Sequence, residues 1–254
     1  MINYVRLRFA DWYPHYLKIS SYLHLDIKKD ILSSIILSNL IQNEPLDLNC
    51  LKKLNSKKKT LIIGAGPSIE DSSVQKFIRD SSDFVIISSD GSTELCLQLN
   101  IVPDFVVTDL DGDIDSLLSA NKSGSKLVIH AHGDNIDKIL KFVPRFRNFF
   151  GTTQVFPLRN VFNFGGFTDG DRCVFLADEF HCAEIWLVGM DFNSSVGYFS
   201  KKRRICNLNL KRRKLLVGKN LIEMLAKRSD SIIINVTTFK FNSLINGTIE
   251  YKLK

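Results

Sequence analysis

Seven short apolar runs rich in β-branched residues, separated by stretches long enough for helices, constrain this chain most: residues 60–63, 84–88, 105–108, 126–130, 154–156, 184–188 and 231–236. Runs that are apolar throughout, instead of alternating with polar residues, suit strands buried on both faces, which is the condition of a parallel sheet covered by helices. The expected core is therefore an α/β domain with a doubly wound, mostly parallel sheet. In such sheets ligands gather beyond the carboxyl ends of the strands, so the residues that follow each run matter most.

Before the first run, residues 1–56 show helical spacing, with Leu25, Leu32, Ile35, Ile36 and Leu40 at three- to four-residue steps and Pro45 after them. This predicts an N-terminal helical cap ahead of a catalytic domain over residues 57–254, with the boundary at the polar stretch Asn55-Ser56-Lys57-Lys58-Lys59. No run approaches the roughly 20 apolar residues that cross a bilayer, and residues 1–16 do not resemble a secretory leader, so a cytoplasmic location without membrane contact is expected. Five cysteines at unrelated spacings predict buried or idle thiols.

The net charge of +7 is one local feature, because residues 201–214 hold eight basic side chains and no acid, and the remainder of the chain sums to −1. No aromatic platform accompanies this segment, and a nucleic-acid partner is not expected. It reads as a solvated helix face above an amphipathic helix, with one or two of its cations free to meet a polyphosphate. The oligomeric state is left open, a homodimer included.

Five strand ends carry Gly, Asp or His where a core has no use for them. After the first run, Gly64-Ala65-Gly66-Pro67-Ser68 permits a tight turn into a helix start that attracts anions, though Ile69 departs from the dinucleotide fingerprint and no P-loop lysine follows. Asp90-Gly91-Ser92 follows the second run and Asp109-Leu110-Asp111-Gly112-Asp113 the third. Asp104 opens the third strand, and Asp109 and Asp111 close it with side chains on the same face, about 5 Å apart, where they repel by about 3 kcal/mol at an effective dielectric of 20. A hard divalent cation such as magnesium, with Asp90 helping, offsets that repulsion at phosphoryl-transfer sites.

His130 and His132, with Asp134 and Asn135 behind them, suit contact with a phosphate or a heterocycle better than zinc, for which no third ligand is evident. The loop from Asn163 to Arg172 combines Gly165, Gly166 and Gly170 with Asp169 and Asp171, opens a helix near Arg172, and offers Phe164 or Phe167 for stacking on a ring. Gly189-Met190-Asp191 closes the series.

Taken in order, these segments resemble the archaeal 6-hydroxymethyl-7,8-dihydropterin pyrophosphokinases, the MptE-like family, over roughly residues 60–191. The stretch from Asp90 through Pro103-Asp104 to Asp111 is also similar to thiamine pyrophosphokinase. The resemblance implies a thiamine pyrophosphokinase-like Rossmannoid fold and magnesium-dependent transfer of diphosphate from ATP to a hydroxymethyl oxygen, with release of AMP. It further implies a metal site of Asp90, Asp109 and Asp111, and nucleotide contacts from Gly64, Gly66, Pro67, Ser68, Gly91, Ser92, His130, His132 and Asn135. The Gly64 to Ser68 turn is also compatible with a place nearer the pterin. Phe167, Asp169, Asp171 and Asp191 are the substrate-binding candidates, one of the carboxylates reading the 2-amino-pyrimidinone edge. A nucleotide-sugar-dependent glycosyltransferase, a thiamine pyrophosphokinase and a non-enzymatic nucleotide-sensing module are the competing readings.

Overall fold

The computed structural model describes residues 9–43, 59–192, 197–201, 208–238, 240–241 and 243–253. The expected boundary near residue 57 lies outside them. Two helices come first, α1 (Phe9–Leu23) and α2 (Ile27–Ile41), and the strands follow: β1 (Lys59–Ile63), β2 (Val85–Ser89), β3 (Phe105–Thr108), β4 (Lys126–Ala131), β5 (Phe149–Thr153), β6 (Val161–Phe162), β7 (Glu184–Val188), β8 (Ile232–Thr237) and β9 (Ile249–Lys252). All pair in parallel, in the order β6-β5-β4-β3-β2-β1-β7-β8-β9. The chain builds outward from β1 to β6, then returns to lay β7 on the other side of β1. That reversal is a topological switch point, and it leaves a crevice beyond the carboxyl ends of β1 and β7.

Alternation along each strand divides the core between the two faces of the sheet. Ile62, Ile87 and Val107 point into the cluster shared with α7 (Asp169–Glu179), α9 (Leu208–Ala226) and α1, where Trp12 and Tyr16 are completely buried. Leu61, Ile63 and Ile86 point the other way, against α3 (Ser72–Arg79) and α4 (Asp90–Gln98). Val106, Leu127 and Ile129 meet α5 (Ile114–Lys122) and α6 (Ile136–Phe142) there. The remaining helix, α8 (Tyr198–Lys201), is a single turn beside α4. Cys96, Cys173 and Cys182 are buried thiols, and among the described residues no helix is long and apolar enough to cross a membrane.

The structure corrects three local expectations and adds two strands. The strand expected at 154–156 ends at Thr153, because the pair Phe149-Phe150 supplies its buried start. β6 and β9 are too short or too exposed to be recognised from hydropathy. The helix expected near Arg172 starts at Asp169, with Thr168 and Asp171 forming a reciprocal cap. Most telling is α2, which leaves Leu32, Ile35 and Leu40 exposed and buries Asp30, Ser33, Ser34 and Ser38 beside Leu37 and Ile41. Its buried face is a polar joint: Ser34 Oγ lies 2.6 Å from Thr153 Oγ1, and Ser33 Oγ donates to Asn135 at 3.2 Å.

Candidate active site

A cavity of about 710 Å³ opens across the carboxyl ends of β1 to β5 and β7, walled by the first turns of α4, α7 and α9 and by the α1–α2 corner. At its centre three carboxylates converge. One oxygen from each of Asp90, Asp109 and Asp169 lies within 4.8 Å of the others.

Each is delivered by a different element. Asp90 opens α4 directly after β2, and its Oδ2 accepts the Thr108 hydroxyl and the N–H groups of Asp111 and Gly112, both at 3.1 Å. Its Oδ1 is buried without a partner. A Cβ at position 112 would stand 1.9 Å from that oxygen, so only glycine lets the turn close over Asp90. Burial, then the charge of Asp109, pushes the Asp90 carboxyl up to about 6.

Asp109 lies just past β3. Burial acts to raise its pKa, but the hydrogen bond from His132 Nε2 at 3.1 Å, the charge of His132 and those of Lys138 and Lys214 bring it below the ordinary carboxylate range. Asp109 Oδ1 also has no partner. Asp169, in the first turn of α7, is pushed well above that range by burial and by Asp109 and Asp90.

Asp111 is not the third member of this group. β3 ends at Thr108, and Leu110 takes a left-handed φ of 63° with its N–H donated to Thr108 Oγ1 at 2.7 Å, so the alternation that would have aligned Asp109 with Asp111 is broken. Asp111 still lines the cavity, and it accepts a 2.7 Å ion pair from Lys138 on α6.

The other expected residues divide between the wall and its support. Gly64, Gly66, Pro67, Gly91, His130, His132, Phe167 and Asp191 line the cavity. Ser68, Ser92, Asn135 and Asp171 lie behind it. The Ser92 hydroxyl donates to the carbonyls of Ile63 and Ser89, tying α4 to β1. Asn135 knots two loops, donating to the carbonyls of Asp109 and His130 at 2.9 and 2.7 Å and accepting the His132 N–H at 3.0 Å. Asp171, with no exposed surface, accepts the Phe167 and Thr168 N–H groups. His130 is buried in the wall with Nε2 unpartnered, and desolvation, aided by the charges of Arg172 and His132, keeps its pKa well below 6.5.

The turn after β1 leads into one 3-10 turn, Pro67–Glu70, and α3 begins only after Asp71 caps it. The Ser68 N–H, exposed to anions in the sequence reading, already donates to Asp191 Oδ2 at 2.7 Å.

Sequence reasoning missed a buried chain of polar groups at the opposite end. The Tyr16 hydroxyl and Gln154 Nε2 both donate to Asp30 Oδ2, the latter at 2.7 Å, while Asp30 Oδ1 accepts the Gly133 N–H at 2.6 Å. Arg172 Nη2 donates to Gln154 Oε1 at 3.0 Å and to the Phe167 carbonyl at 2.7 Å. The sequence signal was there, an aspartate amid serines on the apolar side of α2, but it named no partner.

The model of a family described as 6-hydroxymethylpterin diphosphokinase MptE-like matches residues 35–197. A protein of Methanocaldococcus jannaschii named 6-hydroxymethyl-7,8-dihydropterin pyrophosphokinase is 42% identical over 75% of this chain and 83% of its own length. Proteins with the same name from Pyrococcus furiosus and Methanothermobacter thermautotrophicus are 38% and 39% identical, covering 90% and 67% of this chain and 98% and 75% of theirs. A solved Maf glycosyltransferase from Magnetospirillum magneticum AMB-1 superposes with a TM-score of 0.49 at 17% identity, over 78% of this chain and 34% of that one. With the ordered strand-end segments converging on one cavity, the matched span and these identities make the chain a member of the MptE-like 6-hydroxymethylpterin diphosphokinase family.

Proposed function

We propose that this chain is a cytoplasmic, magnesium-dependent 6-hydroxymethyl-7,8-dihydropterin diphosphokinase. It moves the terminal diphosphate of ATP onto the pterin hydroxymethyl oxygen and releases AMP, in pterin cofactor synthesis of the folate or methanopterin type. Diphosphate transfer is the activity for which the curated relatives are named; ATP, the metal and the residue roles are our reading.

One observation carries it. Asp90 Oδ1 and Asp109 Oδ1 are buried with no hydrogen-bond partner, and a third carboxylate stands within 4.8 Å. Unsatisfied buried anions are costly, and hard oxygen donors at that spacing fit magnesium. Asp90, Asp109 and Asp169 would hold the ion, with Asp111 nearby on the same wall. Bound there, it would neutralise charge on the polyphosphate.

The remaining work falls to the protein's own groups. Transfer is in line: the pterin oxygen bonds to the β-phosphorus as the bridge to the α-phosphate breaks, and positioning with charge stabilisation lowers the barrier. Lys214 and Arg172 on the cavity wall supply fixed positive charge. His132 and the Lys138–Asp111 pair fix the orientation of the loops after β3 and β4.

The test is incubation with ATP, magnesium and 6-hydroxymethyl-7,8-dihydropterin, with AMP and the pterin diphosphate followed by chromatography. Stoichiometric AMP that disappears with EDTA is the expected result. No AMP with the pterin, or equal turnover of thiamine, would overturn the assignment.

A further inference from the structure

Resting on that reading, we infer that Asp191 is the carboxylate that reads the pterin ring, and that the crevice between β1 and β7 is the pterin subsite. The three carboxylates that could do this have different circumstances. Asp169 belongs to the central cluster, where its oxygen stands beside those of Asp90 and Asp109. Asp171 has no exposed surface and is bonded to the Phe167 and Thr168 N–H groups. Asp191 alone of the three lines the cavity without belonging to the cluster, and its hydrogen bonds among the described residues come from Ser68, the N–H at 2.7 Å to Oδ2, which leaves the carboxylate further lone pairs.

That bond also decides what the glycine turn can hold. An N–H already donated to a carboxylate offers no seat to a phosphate, and the negative charge beside it repels one. The crevice suits a flat, uncharged ring. Gly64, Gly66 and Gly189 form its floor, packed so tightly that a Cβ at position 66 would stand 2.4 Å from Asp191 Oδ2 and one at position 64 would stand 2.5 Å from the Gly189 carbonyl. Phe192 and Leu210 add apolar wall. A 2-amino-4-oxo ring presents two adjacent N–H donors, the 2-amino group and N3–H, which a single carboxylate accepts together. Adenine sets its amino donor between acceptors, which a carboxylate repels. The pterin therefore lies at the β1/β7 end, and the adenosine of ATP lies across the carboxylate cluster toward β4 and β5.

The test is Asp191→Asn, which keeps an acceptor for Ser68 and loses the charge. Expected is a rise in KM for the pterin of about 30-fold or more, consistent with losing a charge-assisted pair, with the affinity for magnesium-ATP by calorimetry within twofold of wild type. The wild-type protein provides an independent check, discriminating by a similar factor against the analogue with oxygen in place of the 2-amino group, and the variant should lose most of that discrimination. If wild type turns the pterin over but Asp191→Asn leaves KM and discrimination unchanged, or weakens ATP instead, this inference fails and the diphosphokinase reading stands. If wild type releases no AMP with the pterin, both fall.

Discussion

Asp30 and Asp90 are equally buried, at 4% exposure each, and could hardly differ more in company. Asp30 has both oxygens bonded, to Tyr16, Gln154 and Gly133. Asp90 has three donors on one oxygen, none on the other, and a second carboxylate close by. Satisfying a buried anion with fixed donors builds a joint, whereas leaving one oxygen bare beside like charge builds a socket. The pairing teaches that the cavity's two acidic regions are built differently, one to hold the wall together and the other, on the proposed function, to take a cation.

That contrast can be broken by experiment. Asp109→Asn is expected to lower kcat by about 10³-fold, the scale of losing a principal electrostatic contact, while costing about 1 kcal/mol or less of metal-free stability to urea, because the weakened contact with His132 is partly offset by relief of the repulsion with Asp90. A large stability loss instead would make the cluster a structural device. Asp30→Ala is the mirror case, costing about 3 kcal/mol in urea unfolding because Tyr16, Gln154 and Gly133 lose their acceptor. Unchanged stability would remove the distinction. Magnesium-ATP at 100 times its dissociation constant should add about 2.7 kcal/mol to wild type by thermal shift and far less to Asp109→Asn.

A smaller effect comes from His130, which sharpens the same point. Its folded pKa is depressed below the 6.5 of an unfolded histidine, chiefly by burial and then by Arg172 and His132. Unfolded chains therefore bind the extra proton at this group, and the contribution of His130 to stability is full above pH 6.5 and falls below it with a slope approaching 1.4 kcal/mol per pH unit. His130→Gln should flatten that slope, read from urea midpoints between pH 7 and 5. Least affected should be Lys138→Ala, because its ion pair with Asp111 is about 30% exposed at both ends, 31% and 28%; a loss of about 1 kcal/mol or less is expected.

Much of this was legible in advance because strand ends in a parallel sheet advertise themselves: Asp90, Asp109 and Asp191 each follow a buried run, His130 closes one, and the switch-point rule collects them. What failed was local geometry. Nothing in the sequence says that β3 stops one residue before Asp109 or that Leu110 turns left-handed, so Asp111 was expected where Asp169 stands. Asp30, Gln154 and Arg172 were missed for another reason, since each makes sense only through partners distant along the chain. A buried serine face on α2 reads as amphipathic noise until the loops it serves are in place.

The joint at Asp30 carries a consequence for how the molecule assembles. Its Gln154 partner lies 124 residues downstream, and Trp12 on α1 donates to the Gln154 carbonyl across 142. Both helices leave the ribosome long before anything exists for them to grip, so their docking belongs among the late events of folding, after β5 is in register. Until then, the pocket lacks the wall that the α1–α2 corner supplies, and newly made chains would gain full ligand affinity only once that corner is seated.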